Sequence, residues 1–145
     1  MRLGLSAFMV IIACTSAASS ATPTVTLLKG SGTLTVRGHA SPVDTVIYGA
    51  SDGKVLFQVP TTSGAVGFSG TEDMQPTANQ YILKVSSVYN GRFGASDNTR
   101  TIAEGLCELD ISEDGNVVRE MKCSATTSFG EIKLIFSGRR VDGEE

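Results

Sequence analysis

Apolar and polar residues alternate one by one along short runs of this chain, and that period of two constrains its fold more than any other feature. Leu34 and Val36 share one face of a run whose other face carries Thr33, Thr35 and Arg37. Val55, Phe57 and Val59 alternate with Leu56 and Gln58, and Tyr81, Leu83 and Val85 with Ile82, Lys84 and Ser86. Ile132, Leu134 and Phe136 follow the same rule against Lys133 and Ser137. Helix formers never cluster at a spacing of three or four. Turn formers punctuate the runs: Gly30-Ser31-Gly32, His39-Ala40-Ser41-Pro42, Ser51-Asp52-Gly53, Thr62-Ser63-Gly64 and Asn90-Gly91. The pattern predicts strands over 25–29, 33–37, 45–48, 55–59, 65–69, 81–89, 96–103, 107–112, 117–123 and 131–137, with a long loop over 70–79. The expected fold is all-β: a single antiparallel immunoglobulin-like β-sandwich of about eight to nine strands, with a C-terminal disulfide-linked hairpin added to it. A disordered chain is excluded, because the hydrophobic share is 41% and it is patterned.

The N-terminus reads differently. Met1-Arg2 is followed by the apolar run 3–13 and by the small residues Thr15-Ser16-Ala17-Ala18-Ser19-Ser20-Ala21. Charge, apolar core and small residues in that order are those of a secretory signal peptide. The expected division is a leader over 1–21, a β-domain over 22–140 and an acidic tail over 141–145. The apolar run covers only about half of a ~30 Å hydrocarbon core, so no membrane span is expected. Two processings fit. Cleavage after Ala17, Ala18 or Ala21 releases a soluble chain. Alternatively Ile11-Ile12-Ala13-Cys14 resembles the lipobox of bacterial lipoproteins, which would make Cys14 the lipidation position and the polar stretch after it a tether. The location expected is extracellular, or periplasmic or outer-surface in a bacterium, with a lipid anchor as the alternative.

Either processing leaves Cys107 and Cys123 in an oxidising compartment. Asp114-Gly115-Asn116 lies between them as a strong hairpin signal. A two-residue loop would set Cys107 against Lys122 and Leu109 against Glu120. A three-residue loop sets Cys107 against Cys123 and Leu109 against Met121, at the cost of Ile111 opposite Arg119. Directly opposed residues share a face, so the second register keeps the face apolar and brings the sulfurs together. A Cys107–Cys123 disulfide is expected.

Residues 33–103 carry a resemblance. Thr35-Val36-Arg37-Gly38-His39-Ala40-Ser41-Pro42, then Val46-Ile47-Tyr48 and Gly53-Lys54-Val55-Leu56, resemble the front half of immunoglobulin-like modules of secreted and cell-surface proteins. Gln80-Tyr81-Ile82-Leu83-Lys84-Val85-Ser86-Ser87 resembles the strand that precedes a turn in those modules, here Asn90-Gly91. The resemblance implies a fold and no activity. It departs from antibody domains in having no Trp and in placing both cysteines outside the matching stretch.

Charge and side-chain chemistry narrow the function. Twelve basic residues face 15 acidic ones, and Arg139-Arg140 is only a pair, so no nucleic-acid partner is expected. The single His39, with Ser41 and Asp44, lies in one short stretch and reads as a polar turn rather than a triad. Asp110, Glu113, Asp114 and Glu120 lack the ordered spacing of a calcium loop. Asn90-Gly91-Arg92 resembles an adhesive tripeptide but reads as a turn. No catalytic residue, metal or cofactor is expected. The sequence favours a secreted or surface-tethered, non-catalytic binding or structural module that meets an unknown protein or surface ligand through loops and strand edges. The alternative is a small secreted enzyme or small-ligand carrier with a pocket in the β-fold.

Overall fold

The computed structural model describes residues 24–62, 64–91 and 99–141; the expected leader, with Cys14, and residues 142–145 lie outside them. Nine strands follow in order: β1 (Thr24–Val36), β2 (His39–Ser51), β3 (Lys54–Thr61), β4 (Gly64–Gly70), β5 (Glu72–Thr77), β6 (Gln80–Gly91), β7 (Thr99–Ile111), β8 (Val117–Thr127) and β9 (Gly130–Val141). β4 and β5 pair with β6 in one continuous register, Ser69 opposite Ser87 and Glu72 opposite Lys84, so they act as a single stave broken at Thr71. The remaining pairings join each strand to the next in sequence, and β1 pairs with β9.

The result is a closed, eight-stave antiparallel barrel, and the expectation of a sandwich is wrong. A sandwich and a barrel bury alternate residues in the same way, so the period of two does not separate them. Closure does, through the β1–β9 ladder and the β4–β6 ladder. The cysteine hairpin is likewise part of the barrel wall, not an addition to a second sheet.

Several expected turns are bends inside long strands. Gly30-Ser31-Gly32 does not reverse the chain: β1 runs through it with a bulge between Lys29 and Gly32. A Cβ built at Gly30 would lie 1.9 Å from the carbonyl oxygen of Ser137, so only glycine lets β1 and β9 approach this closely. Gly105 meets the same limit in β7, with the Ser124 carbonyl oxygen at 1.8 Å, and it fuses the two strands expected over 96–103 and 107–112. Such kinks let a sheet coil tightly enough to close. The expected loop over 70–79 is mostly β5. Two true reversals fit hairpin chemistry: Arg37-Gly38 and Asp52-Gly53 have both residues at positive φ, as a type I′ turn requires.

The interior is filled. Phe57, Phe68, Phe136, Leu83, Met121 and Leu134 are the largest fully buried side chains, and they belong to one apolar cluster. Cys107 and Cys123 sit in it as directly opposed residues and form the expected disulfide. Leu109 lies opposite Met121, also as expected. Asp110 opposite Glu120 keeps that register, and beyond it the hairpin departs from the three-residue loop. A bulge sets Ile111 opposite Val118, and Arg119 turns outward to Asp110 at 3.2 Å. The unfavourable Ile111–Arg119 pair is thereby avoided.

The outer face is largely charged at mid-strand, with Leu106 and Ile135 exposed among the charges. Lys84, Glu108, Lys122 and Lys133 are exposed there, and Lys84–Glu72, Lys122–Glu120 and Lys133–Glu131 are ion pairs. A lipid-facing barrel shows the opposite arrangement, with an apolar outer band and a polar lumen. No described helix is long and apolar enough to cross a membrane. Closure also removes most strand edges. Among the described residues, free stretches remain at β2 before Ile47, which β3 does not reach, and along β5, which pairs with β6 alone.

Candidate functional site

β4 is buried along almost its whole length, on both faces. Val66 and Phe68 point into the barrel, opposite Val59 and Phe57. Ala65, Gly67 and Ser69 form the outward face, and their small size leaves a hollow between taller neighbours. The rung Gln58–Gly67–Tyr89 crosses it. A Cβ at Gly67 would stand 2.8 Å from the Leu56 Cδ1 and 3.6 Å from the Tyr89 Cβ, so these two side chains flank the glycine. The cleft has a volume of about 410 Å³ and extends past Gly49 to Val25 of β1.

Its polar groups converge at one side. The Lys54 ammonium donates to the Tyr89 hydroxyl and lies 4.7 Å from the ring centroid. That hydrogen bond lowers the pKa of the Tyr89 phenol below its ordinary value; burial opposes it, and Lys54's charge, Ser87 and Arg100 add to the lowering. Two residues beyond Gly67, Ser69 lies opposite Ser87. The Ser69 Oγ is buried and has no hydrogen-bond partner among the described residues.

A second hollow, of about 190 Å³, opens at the barrel end where both described termini lie. Tyr48, Phe57 and Tyr81 form an aromatic group there, with ring centroids 5.4 Å apart for Tyr48–Phe57 and 6.3 Å for the edge-on Phe57–Tyr81 pair. The Tyr81 hydroxyl donates to the Asp73 carboxylate at 2.7 Å. Burial raises the pKa of both phenols above the ordinary value; for Tyr81 the bond to Asp73 adds to this, and for Tyr48 the negative charge of Asp73 does.

The residues singled out in the sequence fare unevenly. Cys107 and Cys123 are joined, and Cys14 lies outside the described residues. His39 and Ser41 are exposed in β2, opposite Val36 and Leu34, while Asp44 accepts from the Thr45 hydroxyl at 2.9 Å. These three do not converge. Asp110 pairs with Arg119, Glu120 with Lys122, and Asp114 accepts from the Asn116 backbone N–H at 3.0 Å. No group of three metal-ligating side chains gathers among the described residues. Asn90 and Gly91 end β6, and Arg92 lies outside the described residues.

Sequence reasoning missed both hollows. The one available signal was the set of small residues Ala65, Gly67 and Ser69 on the outward side of a strand. The two phenols read only as members of alternating runs.

No protein-family model, curated protein or solved structure matches this chain.

Proposed function

We propose that the chain is an exported, non-catalytic binding module that holds a small amphipathic molecule, with an apolar body and a carboxylate end, in the cleft outside β4. The observation that carries this reading is the cleft itself: small residues along one strand, walled by Leu56 and Tyr89, with Lys54 at the rim. Its volume falls in the range of small-molecule sites, which are mostly apolar with a few convergent polar groups. Lys54 has three N–H donors and gives one to Tyr89, so it can still receive a carboxylate. Lys54 and Arg100 make this a locally basic spot on a chain of net charge −3. Closure of the barrel shifts the weight of binding from strand edges to this wall. Export is supported by the leader-like order of residues 1–21 in the sequence and by the buried disulfide.

Calorimetric titration of the processed chain with octanoate and with octanol tests the reading. Saturable octanoate binding is expected, weakened several-fold by Lys54→Gln, with octanol unaffected by that change. Gly67→Val should weaken both, because it drives Leu56 into the cleft. Equal octanoate binding by the wild type, Lys54→Gln and Gly67→Val would overturn the proposal.

A further inference from the structure

The polar corner of the outer cleft holds two donors side by side. A lysine ammonium has donors only, so in the Lys54–Tyr89 hydrogen bond the Tyr89 oxygen accepts. The phenol also carries one proton of its own, which that bond does not use. Tyr81, at the barrel end, gives the equivalent proton to the Asp73 carboxylate. Beside Tyr89 no acid among the described residues takes that place. The charged groups that face it are both cations: Lys54 from β3, and Arg100, its directly opposed residue on β7. β4, on its other side, presents Ala65, Gly67 and Ser69, none of which titrates, and β6 itself adds the Ser87 hydroxyl.

Both donors line the cleft, at the end of its apolar floor. Two adjacent donors can meet both oxygens of one carboxylate, as neighbouring guanidinium nitrogens do. An alcohol has one oxygen, which a single donor satisfies. A carboxylate has two, and both only accept.

We propose that Tyr89 is the second anchor of the ligand's carboxylate: Lys54 meets one oxygen, and the Tyr89 hydroxyl, donating its own proton, meets the other. This inference rests on the reading of the cleft as a carboxylate site and adds to it the residue that selects the head group. The same proton gives the site an alkaline limit. The hydrogen bond from Lys54 lowers the Tyr89 pKa below its ordinary value; burial opposes this, and the charges of Lys54 and Arg100 add to the lowering. Once Tyr89 ionises, the donor is lost and a negative oxygen faces the carboxylate. Octanoate affinity therefore falls as the pH rises through the Tyr89 ionisation.

The test is calorimetric titration of the processed, oxidised chain and of Tyr89→Phe with octanoate and octanol. At neutral pH, Tyr89→Phe should weaken octanoate about tenfold and octanol less than about twofold, the effect of losing one charge-assisted hydrogen bond while the ring stays in place. As the pH is raised, the wild type should lose octanoate affinity in step with tyrosinate absorbance at 295 nm, and Tyr89→Phe should show no matching fall. Unchanged octanoate binding in Tyr89→Phe would overturn the proposal, and is the outcome if the proton goes to Ser87 instead. Equal losses of octanoate and octanol would also overturn it, because the ring would then be wall alone. So would the same alkaline fall in both chains. A wild type without saturable octanoate binding would overturn the reading of the cleft and this inference with it. Octanoate binding that is weakened by Lys54→Gln but not by Tyr89→Phe would overturn this inference alone.

Discussion

Cys107 and Cys123 occupy one rung of the β7–β8 ladder inside the barrel, with their Cα atoms 4.0 Å apart and both side chains almost wholly buried. The bond closes a loop of 16 residues' separation, worth roughly 3 kcal/mol in the chain-entropy account. The double variant Cys107→Ala with Cys123→Ala avoids placing hydroxyls in the core. It should fold and lose about 10 °C in Tm, measured by circular dichroism under oxidising conditions. Peptide mapping without reductant should find the two cysteines on linked peptides, and free thiols at both positions would contradict the structure.

Barrel closure rests on Gly30. A Cβ there would overlap the backbone of β9, with no flexible side chain to move aside. Gly30→Ala should cost about 3 kcal/mol in urea unfolding. Gly49→Ala, whose Cβ would meet nothing closer than 3.9 Å, should stay within about 0.5 kcal/mol of wild type. Equal effects of the two substitutions would show that β1 and β9 are not this close.

The three tyrosines should titrate in two groups. An ordinary phenol ionises near pH 10. Tyr89, held by Lys54, should ionise below that in the folded chain, and Tyr48 and Tyr81 above it. For the latter pair the stabilising effect is complete below pH ~10 and fades as the pH rises further, because the unfolded chain gains by ionising first. Absorbance at 295 nm should therefore show one early tyrosinate and two that appear with alkaline unfolding. Tyr89→Phe should remove the early step only, and loss of a late step instead would reverse the assignment.

The free edge of β5 is guarded by chemistry. Its six residues are all exposed, and Glu72 and Pro76 interrupt what would otherwise be a strand template. Glu72→Thr with Pro76→Val should promote self-association through this edge, seen as a concentration-dependent rise in mass by light scattering. A strictly monomeric double variant would show that the edge is shielded in some other way.

The sequence was a good guide wherever a local rule was sufficient. Alternation located the inward faces of β3, β6 and β9, because a pleated strand sends successive side chains to opposite sides. The choice between registers for Cys107 and Cys123 was likewise legible, since one slip would have put Lys122 in the core. Bends were not. Gly30-Ser31-Gly32 looks the same on paper whether it reverses the chain or kinks a strand, and only the neighbouring strand, β9, decides.

What the sequence determined by itself was a set of amphipathic strands, their inward residues and one disulfide. Whether those strands would stack as two sheets or curl into one barrel was decided by contacts between residues far apart in the chain. Leu34 against Leu134 and Phe68 against Val88 close the two seams. The outer cleft and the barrel-end hollow follow from that closure, because each is lined by side chains from several staves. Period-two patterning specifies which side of a strand is buried, but not against what, and the partner is a property of the whole fold.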